Sequence, residues 1–495
     1  QLLKIEPKAE YVKRTDGGFD LEYPIRLGRF ERTKHNVLKS MEASGNRLRI
    51  YITKKGNLSL AVNQQTTVSV KTQVNRLKLK RNRLLVEGKV FTLHESIEQA
   101  RLLLKSRDSN NEIILPVNIR QLERDTEQKF GLRRYFFQAN VDLNTIVQKF
   151  LLDEDIYDAY FEIKWHDREE VERCRIGKPR FRARYFIRAG SANIGDKWYV
   201  VTPYYTFKGF NLSFQIDGFD RETFVYLHRM LRWAWFLRLF NKRKNIWIIG
   251  ERPYKAQDTG FHFFKYMREK HPNHPAYYVI EEHSPERKNV DKYGNVLIYK
   301  SKAHIWHTLM ATKVIGSHHP DYLYPLRTKA FKKAVKATKV FLQHGVMGTK
   351  NMVANYGKNA PGFETDLFLV SSDFEKNMIV QDFGYDPREV AVTGLSRFDG
   401  LFADDVAVKK QLLVIPTWRD WILTDEEFLE SEYFARWKSF VSDPRLHEMA
   451  ERHGFDIVFC LHPNMQKFTP YFKDLPIRVI SQGEVDVQRL IKESA

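Results

Sequence analysis

Two histidines stand at the ends of short apolar runs, where each could work on a phosphate. In VFLQHGVMGTK, Val340, Phe341 and Leu342 read as a buried strand that stops at Gln343 and His344. In DIVFCLHPN, the run 457–461 ends in His462 and then Pro463, which cannot continue a central strand. Strand ends of this kind form the ligand-binding edge of an open α/β sheet. A neutral imidazole there could take the proton from an alcohol that attacks phosphorus. Gly345 and Gly348, just beyond His344, allow a tight turn whose free amides suit an anion.

Other strand ends in the same half also carry polar side chains. They are Gly250, Glu251 and Arg252; Ser317, His318 and His319; and Ser371, Ser372 and Asp373. Further along come Gly394, Ser396, Arg397 and Asp399, then Thr417, Arg419 and Asp420, and finally Asn464 beside His462. Histidines, arginines and small hydroxyls in this company fit phosphoryl transfer, where positioning and charge neutralisation supply most of the catalysis. No HExxH, no Cys and His cluster and no DxD-type acidic pair stands out, so no tightly bound metal is expected; loosely bound Mg2+ is compatible with the chemistry. His318 and His319 before Pro320 imitate a metal pair without the rest of a ligand set.

The elements that must hold these residues follow from periodicity. After Asn245, strands alternate with helices: NIWIIG, a helix through GFHFFKYMREK, AYYVI, NVLIYK, a helix through AHIWHTLMA, KVIGS, KVFLQHG, DLFLVSS, a helix through DFEKNMIVQDFG, and EVAVTG. A second unit runs from QLLVIPTW through SEYFARWKSFV and PRLHEMAERHG to DIVFCLHPN and IRVIS. Such alternation predicts two parallel sheets covered by helices, with a cleft at their strand carboxyl ends. Ahead of them, the stretch 221–245 turns helical; its run from Met230 to Phe240 is apolar on nearly every face, interrupted by Arg232 and Arg238 and closed by Lys242, Arg243 and Lys244. Trp233, Trp235, Phe236 and Phe240 among those cations fit a helix lying in the headgroup region of an anionic bilayer; a linker helix packed between domains is equally apolar.

The first part of the chain, about 4–217, favours strands: LRIYITKKGNLSLAV, TVSVKTQV, LLVEGKVFTL, IILPVNI, AYFEIKW, FRARYFIRA, KWYVVTPYYTF and LSFQI. That reads as one β-sandwich or two small ones, with basic faces in KLKRNRL and RCRIGKPRFRARY. Over all 495 residues, 81 Lys and Arg against 61 Asp and Glu give a formal net charge of +20, which points to a polyanionic partner: nucleic acid, anionic lipid or a phosphate-rich substrate. Cys174 and Cys460, far apart and outside any CxxC, predict neither a disulfide framework nor a zinc site, and fit a reducing cytoplasmic setting. No signal peptide opens the chain, which starts at Gln1, and no apolar run reaches the roughly 18 to 20 residues that span a bilayer.

Seven ordered blocks carry a resemblance: GERPYKAQDTGFHFFKYM, SHHPDYLYP, LQHGVMG, TDLFLVSSDFEK, VTGLSRFD, PTWRDW and FCLHPN. Together they resemble the CDP-glycerol glycerophosphotransferase family of teichoic acid and capsule polymerases, from about Asn245 to the end. The basic β-rich region before them also resembles the accessory part of poly(ribitol phosphate) and poly(glycerol phosphate) polymerases. The resemblance implies a GT-B-like pair of Rossmann-type domains, at 246–405 for the acceptor and 406–495 for the donor, after a β-rich domain at 1–217 and a helix at 218–245. It implies transfer of polyol phosphate from CDP-glycerol or CDP-ribitol to a lipid-linked teichoic acid, releasing CMP, by a bacterial enzyme peripheral to the cytoplasmic face of the membrane, with no nucleic acid partner.

Residue by residue, the family's HG histidine falls on His344, the implied base, and its HP histidine on His462, the implied stabiliser of the pyrophosphate. Thr417, Arg419, Gly345, Ser396, Arg397 and Asn464 are the donor and phosphate contacts so implied; Arg252, Gln257, Asp258 and His318 face the acceptor. The family continues past the helix that ends in IKESA with a strand and a TDYSS-type turn, so the donor domain is expected to be incomplete and the chain weakly active or inactive. A nucleotide-sugar glycosyltransferase and a basic scaffold binding polyanions are the other readings, the latter resting on net charge and aromatic strands.

Overall fold

Alternation of apolar and polar residues builds the first half of the chain. The computed structural model describes residues 70–494, apart from 94–95, 108, 110, 123–131, 151–153, 167–170, 207–208, 349–350, 403–405, 420, 423, 482–483 and 486; of the first 69 it describes Gly45 and five strands. Those strands, Glu10–Lys13, Phe19–Ile25, Val37–Ala43, Asn46–Ile52 and Leu58–Val62, pair into one antiparallel sheet. Beyond them, the strand Lys71–Lys80 buries Thr72, Val74, Leu77 and Leu79, and Ile156–Trp165 buries Tyr157, Ala159, Phe161, Ile163 and Trp165. The first belongs to a four-stranded sheet and the second to a seven-stranded one. The two sheets share one core, in which Phe137 meets Phe161 edge-on at 4.7 Å.

Two strands of that core escape the sequence reading. Ile97–Ser106 and Leu132–Asp142 are broken up by Glu98, Gln99 and Arg101, and by Arg133, Arg134, Gln138 and Asn140, yet they bury Leu102, Leu104, Phe137 and Ala139. FRARYFIRA, expected as a strand, corrects the other way. It opens with the short helix Phe181–Tyr185, which buries Ala183. Pro179, just before it, lacks the N–H that a ladder needs, and one helical turn satisfies the same pattern.

The helix α1, Arg221–Asn241, joins the halves; Asp220 caps it, accepting from the Thr223 N–H at 2.8 Å. Seven parallel strands follow: β1 (Trp247–Gly250), β2 (Ala276–Ile280), β3 (Val296–Ile298), β4 (Lys313–Gly316), β5 (Thr338–Phe341), β6 (Leu367–Val370) and β7 (Val390–Val392). Their spatial order is β3-β2-β1-β4-β5-β6-β7, so the direction of winding reverses between β1 and β4. Helices α2 (Thr259–Lys270), α3 (Lys302–Met310), α4 (Lys329–Ala334) and α5 (Asp373–Gln381) connect them. A second parallel sheet, β8 (Gln411–Val414), β9 (Asp456–Cys460) and β10 (Arg478–Ile480), precedes helix α6 (Val487–Glu493).

Helix α1 belongs to the core of the first α/β unit. Phe224, Leu227, Met230 and Ala234 pack with Ile305 and Leu309 of α3 and Phe331 of α4. Trp198 of the β-rich half stacks on Phe224 at 4.4 Å, and Lys300 pairs with Glu154 and, at 3.2 Å, with Asp217. The linker reading therefore describes one face of α1. Its other face leaves Trp235, Leu239 and Phe240 each 68% exposed. No helix among the described residues is long and apolar enough to cross a membrane.

Buried histidines make this fold sensitive to acid. His304 has no exposed surface: its Nδ1 accepts from the Lys300 N–H at 3.0 Å and its Nε2 donates to the Leu323 carbonyl at 2.8 Å. Burial pushes His304 and His319 down to about 4. The unfolded rings titrate near 6.5. Each folded pKa is depressed, so in this window the unfolded chain binds more protons and stability rises with pH. Thermal melts should thus lose stability as pH falls from about 6.5 towards 4. His304→Gln should flatten that slope by close to one proton; a slope unchanged in this variant would refute the assignment.

Candidate active site

The reversal of winding between β1 and β4 marks the carboxyl edge of the first sheet as the place where such folds bind ligands. Glu251 and Arg252 follow β1, Ser317 and His318 follow β4, and His344 comes soon after β5. Strand β5 stops in an unusual way. Gln343, fully buried, has φ of +62°, a left-handed conformation that a side chain rarely adopts, and its Nε2 donates to the Leu369 carbonyl at 2.6 Å. That kink ends the strand and delivers His344. The His344 Nδ1 lies 3.3 Å from the Ser317 carbonyl, which can only accept. Nδ1 is therefore assigned the proton, and Nε2 keeps its lone pair.

His318 lies flat on His344, with ring centroids 4.4 Å apart and planes within 5°. Burial, with His344 and Arg252 close by, pushes His318 down to about 3, so the ring is uncharged at neutral pH. Arg252 rests over the Tyr322 ring at 5.7 Å. A Cβ added at Gly345 or Gly348 would meet nothing within 4 Å, so both glycines border open space beside His344.

Two buried carboxylates fix the surrounding loops. Glu375, 1% exposed, accepts from the Met347 N–H at 2.8 Å and from the N–H and hydroxyl of Ser371, each at 2.7 Å. It thereby ties the loop 345–348 to the start of α5. Glu251 accepts from the N–H groups of Asp258 (2.7 Å), Phe261 (3.0 Å) and Gln257 (3.3 Å); burial, with Asp258 nearby, pushes its carboxyl up to about 7.

Arg397 joins these parts. Its Nη1 donates to Asp258 Oδ1 at 2.8 Å and to the His344 carbonyl at 3.0 Å, while its own carbonyl accepts from Gln488 of α6 at 2.7 Å. Ser396 Oγ donates to the Thr259 carbonyl at 2.7 Å. Asp258, Ser396, Arg397, His318 and His344 are thus brought together, and Arg397 already has partners within the protein.

The second unit presents its own histidine. His462 Nδ1 accepts from the Asn464 N–H at 3.2 Å, which places the proton of the neutral ring on Nε2. Trp418 stacks on that ring at 5.8 Å with planes within 20°, and burial lowers the pKa of His462. Arg419 donates to the Thr417 hydroxyl at 3.2 Å, and its guanidinium lies 5.3 Å from the Tyr433 ring centre. It also lines a cavity of about 660 Å³ with Trp421, Ser431, Tyr433 and Trp437. Asp420 lies outside the described residues. Among the described residues, no hydrogen bond, ion pair or ring contact joins the His344 group to the His462 group. No cluster of three metal-ligating side chains occurs among them either.

Chemically, one imidazole offers a bare nitrogen and the other an N–H. The first suits proton removal and the second suits hydrogen bonding to a phosphate oxygen. Sequence reasoning put Gln343 at the strand end without giving it a role, and it did not single out Glu375 or Trp418. Glu375 had a legible signal, because Ser372 and Glu375 stand at the S-x-x-E spacing of a helix cap.

A doubly wound parallel sheet whose strand order reverses between β1 and β4 defines the class: an α/β protein of the kind whose ligands bind at the carboxyl edge. The chain belongs to the CDP-glycerol:poly(glycerophosphate) glycerophosphotransferase family, whose model matches residues 230–490. Residues 65–216 match the model of TarS beta-glycosyltransferase C-terminal domain 1. The minor teichoic acid biosynthesis protein GgaB of Bacillus subtilis (strain 168) is 31% identical over 246 residues, covering 46% of this chain and 26% of that protein. The chain thus spans about a quarter of that relative's length. Among solved structures, S. aureus TarS is similar at 16% identity and a TM-score of 0.26, covering 37% of this chain and 29% of that one. A variant of the wall teichoic acid polymerase TagF with CDPG is similar at 15% identity and a TM-score of 0.34, covering 56% and 73%.

Proposed function

We propose that the protein transfers a polyol phosphate from CDP-glycerol or CDP-ribitol to a hydroxyl of a lipid-linked teichoic acid, releasing CMP. The observation that supports this reading, beside family membership, is the pair of backbone partners at the two strand-end histidines, a carbonyl at His344 Nδ1 and an N–H at His462 Nδ1, which assign them opposite tautomers. The acceptor hydroxyl attacks the phosphorus that bears the polyol, giving its proton to His344 Nε2. The bond from that phosphorus to the bridging oxygen breaks, and CMP leaves as a phosphate of low basicity that needs little acid assistance. His462 Nε2–H, Thr417, Arg419 and Asn464 neutralise and orient the pyrophosphate, with open space over Gly345 for the reacting group. Ser396 and Arg397 hold the donor side against the His344 loop, while Arg252, Gln257, Asp258 and His318 border the acceptor.

In this reading the chain is a GT-B-like pair of Rossmann-type domains, 246–405 for the acceptor and 406–495 for the donor. An accessory β-rich domain at 1–217 and the helix region 218–245 precede them. The exposed aromatic face of α1, followed by Lys242–Lys244, rests on the cytoplasmic face of the membrane. Mg2+, if it takes part, arrives loosely held with the donor.

The test supplies each CDP-polyol with a lipid-linked polyol phosphate acceptor analogue and follows CMP. Acceptor-dependent CMP release from one of the two donors is the expected result. Turnover of a nucleotide sugar with neither CDP-polyol consumed would instead establish glycosyl transfer.

A further inference from the structure

The β-rich half carries an exposed ridge for which the transfer reaction has no use. From 176 to 190 the chain holds five cations, Lys178, Arg180, Arg182, Arg184 and Arg188, and no Asp or Glu. All five are exposed, and among the described residues no ion pair neutralises them. Between them stand Phe181, 69% exposed, Tyr185, 52%, and Phe186, 70%, with Phe210 beside them at 40%. The Arg184 guanidinium lies 4.7 Å from the centre of the Phe210 ring.

The backbone is strained at this ridge. Among the described residues, Lys178 (φ +51°) and Phe210 (φ +49°) are two of seven non-glycine residues in the left-handed region, and they face each other: the Lys178 N–H donates to the Phe210 carbonyl at 2.9 Å. A Cβ at neighbouring Gly177 would come within 2.6 Å of that carbonyl. Strain of this kind persists where the surroundings hold it in place, and it concentrates at binding surfaces. The ridge is also tied to the other half of the chain. Lys329, the first residue of α4, donates to the Tyr185 carbonyl at 3.0 Å, and α4 packs in the same core as α1, whose outer face shows Trp233, Trp235, Leu239 and Phe240.

A soluble polyanion would engage the arginines and leave the phenylalanine rings in water. An anionic bilayer satisfies both, with guanidinium groups at the lipid phosphates and rings among the headgroups. We propose that residues 178–188 with Phe210 form a second docking element for an anionic lipid surface, so that the protein meets the membrane at two places, this ridge and α1. The proposal rests on the peripheral reading above and adds the β-rich half to the contact.

The test is sedimentation of the whole chain with vesicles of equal parts phosphatidylglycerol and phosphatidylcholine, against phosphatidylcholine alone. The charge set is Arg180→Gln, Arg182→Gln and Arg184→Gln; the aromatic set is Phe181→Ser and Phe186→Ser. All five positions are exposed, and unchanged thermal melts should confirm folding. Each set should weaken binding to the anionic vesicles at least tenfold. The proposal is overturned if neither set weakens it, if only the charge set matters and soluble poly(glycerol phosphate) binds equally well, or if the aromatic set instead dissolves an oligomer. A companion pair in α1, Trp235→Ser and Phe240→Ser, separates the two readings. If it alone removes binding, only the ridge is refuted; if the parent protein never sediments with anionic vesicles, the peripheral reading falls as well.

Discussion

Replacing His344 by Ala should reduce CMP release by about a thousandfold or more, as expected for a general base, while leaving the fold in place. The two halves of this expectation come from different neighbours of the residue. The chemical half rests on Nδ1, which donates to the Ser317 carbonyl and so leaves Nε2 as the free base. The neighbouring ring is a poor substitute, because burial, with His344 and Arg252 close by, pushes the His318 pKa down to about 3 and makes that stacked imidazole a far weaker base. The structural half rests on what remains after truncation. Gln343 keeps its bond to Leu369, Glu375 keeps Met347, and Arg397 bonds the backbone carbonyl of residue 344 rather than its side chain. The loss should therefore appear in kcat, with thermal melting close to that of the parent. Turnover within a factor of ten of the parent would remove His344 from the proton path.

The strand-end histidines were legible in the sequence because a buried parallel strand has a plain signature, an apolar run stopped by a polar residue. The same rule located β1, β4, β5 and β9 and the polar residues after each. It failed where burial depends on partners distant in sequence. Leu132–Asp142 looks polar until its alternate residues meet the opposing sheet, as Phe137 meets Phe161. FRARYFIRA looks like a strand until Pro179 is counted as a missing donor. The site residues divide in the same way. His344 and His462 are visible from spacing, but the nitrogen that carries each proton is set by the Ser317 carbonyl and the Asn464 N–H. Arg397 reads as a phosphate ligand in sequence, whereas its guanidinium bridges Asp258 and the His344 backbone. A charged residue looks the same on paper whether it meets substrate or holds a loop.

Glu375 illustrates that ambiguity and carries the second large expectation. Its carboxylate is buried and receives three donors, the Met347 N–H, the Ser371 N–H and the Ser371 hydroxyl. Glu375→Leu would leave all three facing an apolar side chain, and buried donors without acceptors are costly. The loss should be about 3–5 kcal/mol of folding stability, the range seen when a buried charged network loses a member. Glu375→Gln keeps one acceptor oxygen and should lose only about 1–2 kcal/mol. Activity should fall in the same order, since Met347 lies in the loop that follows His344, and a reacting group displaced by about 1 Å can cost a hundredfold in rate. Denaturant unfolding and CMP release measured on both variants separate this from a simple surface role. If the Leu variant unfolds within about half a kcal/mol of the parent, as surface substitutions do, then Glu375 does not anchor the loop, and the Gln343 kink with the Arg397 and Ser317 contacts fixes His344 without it.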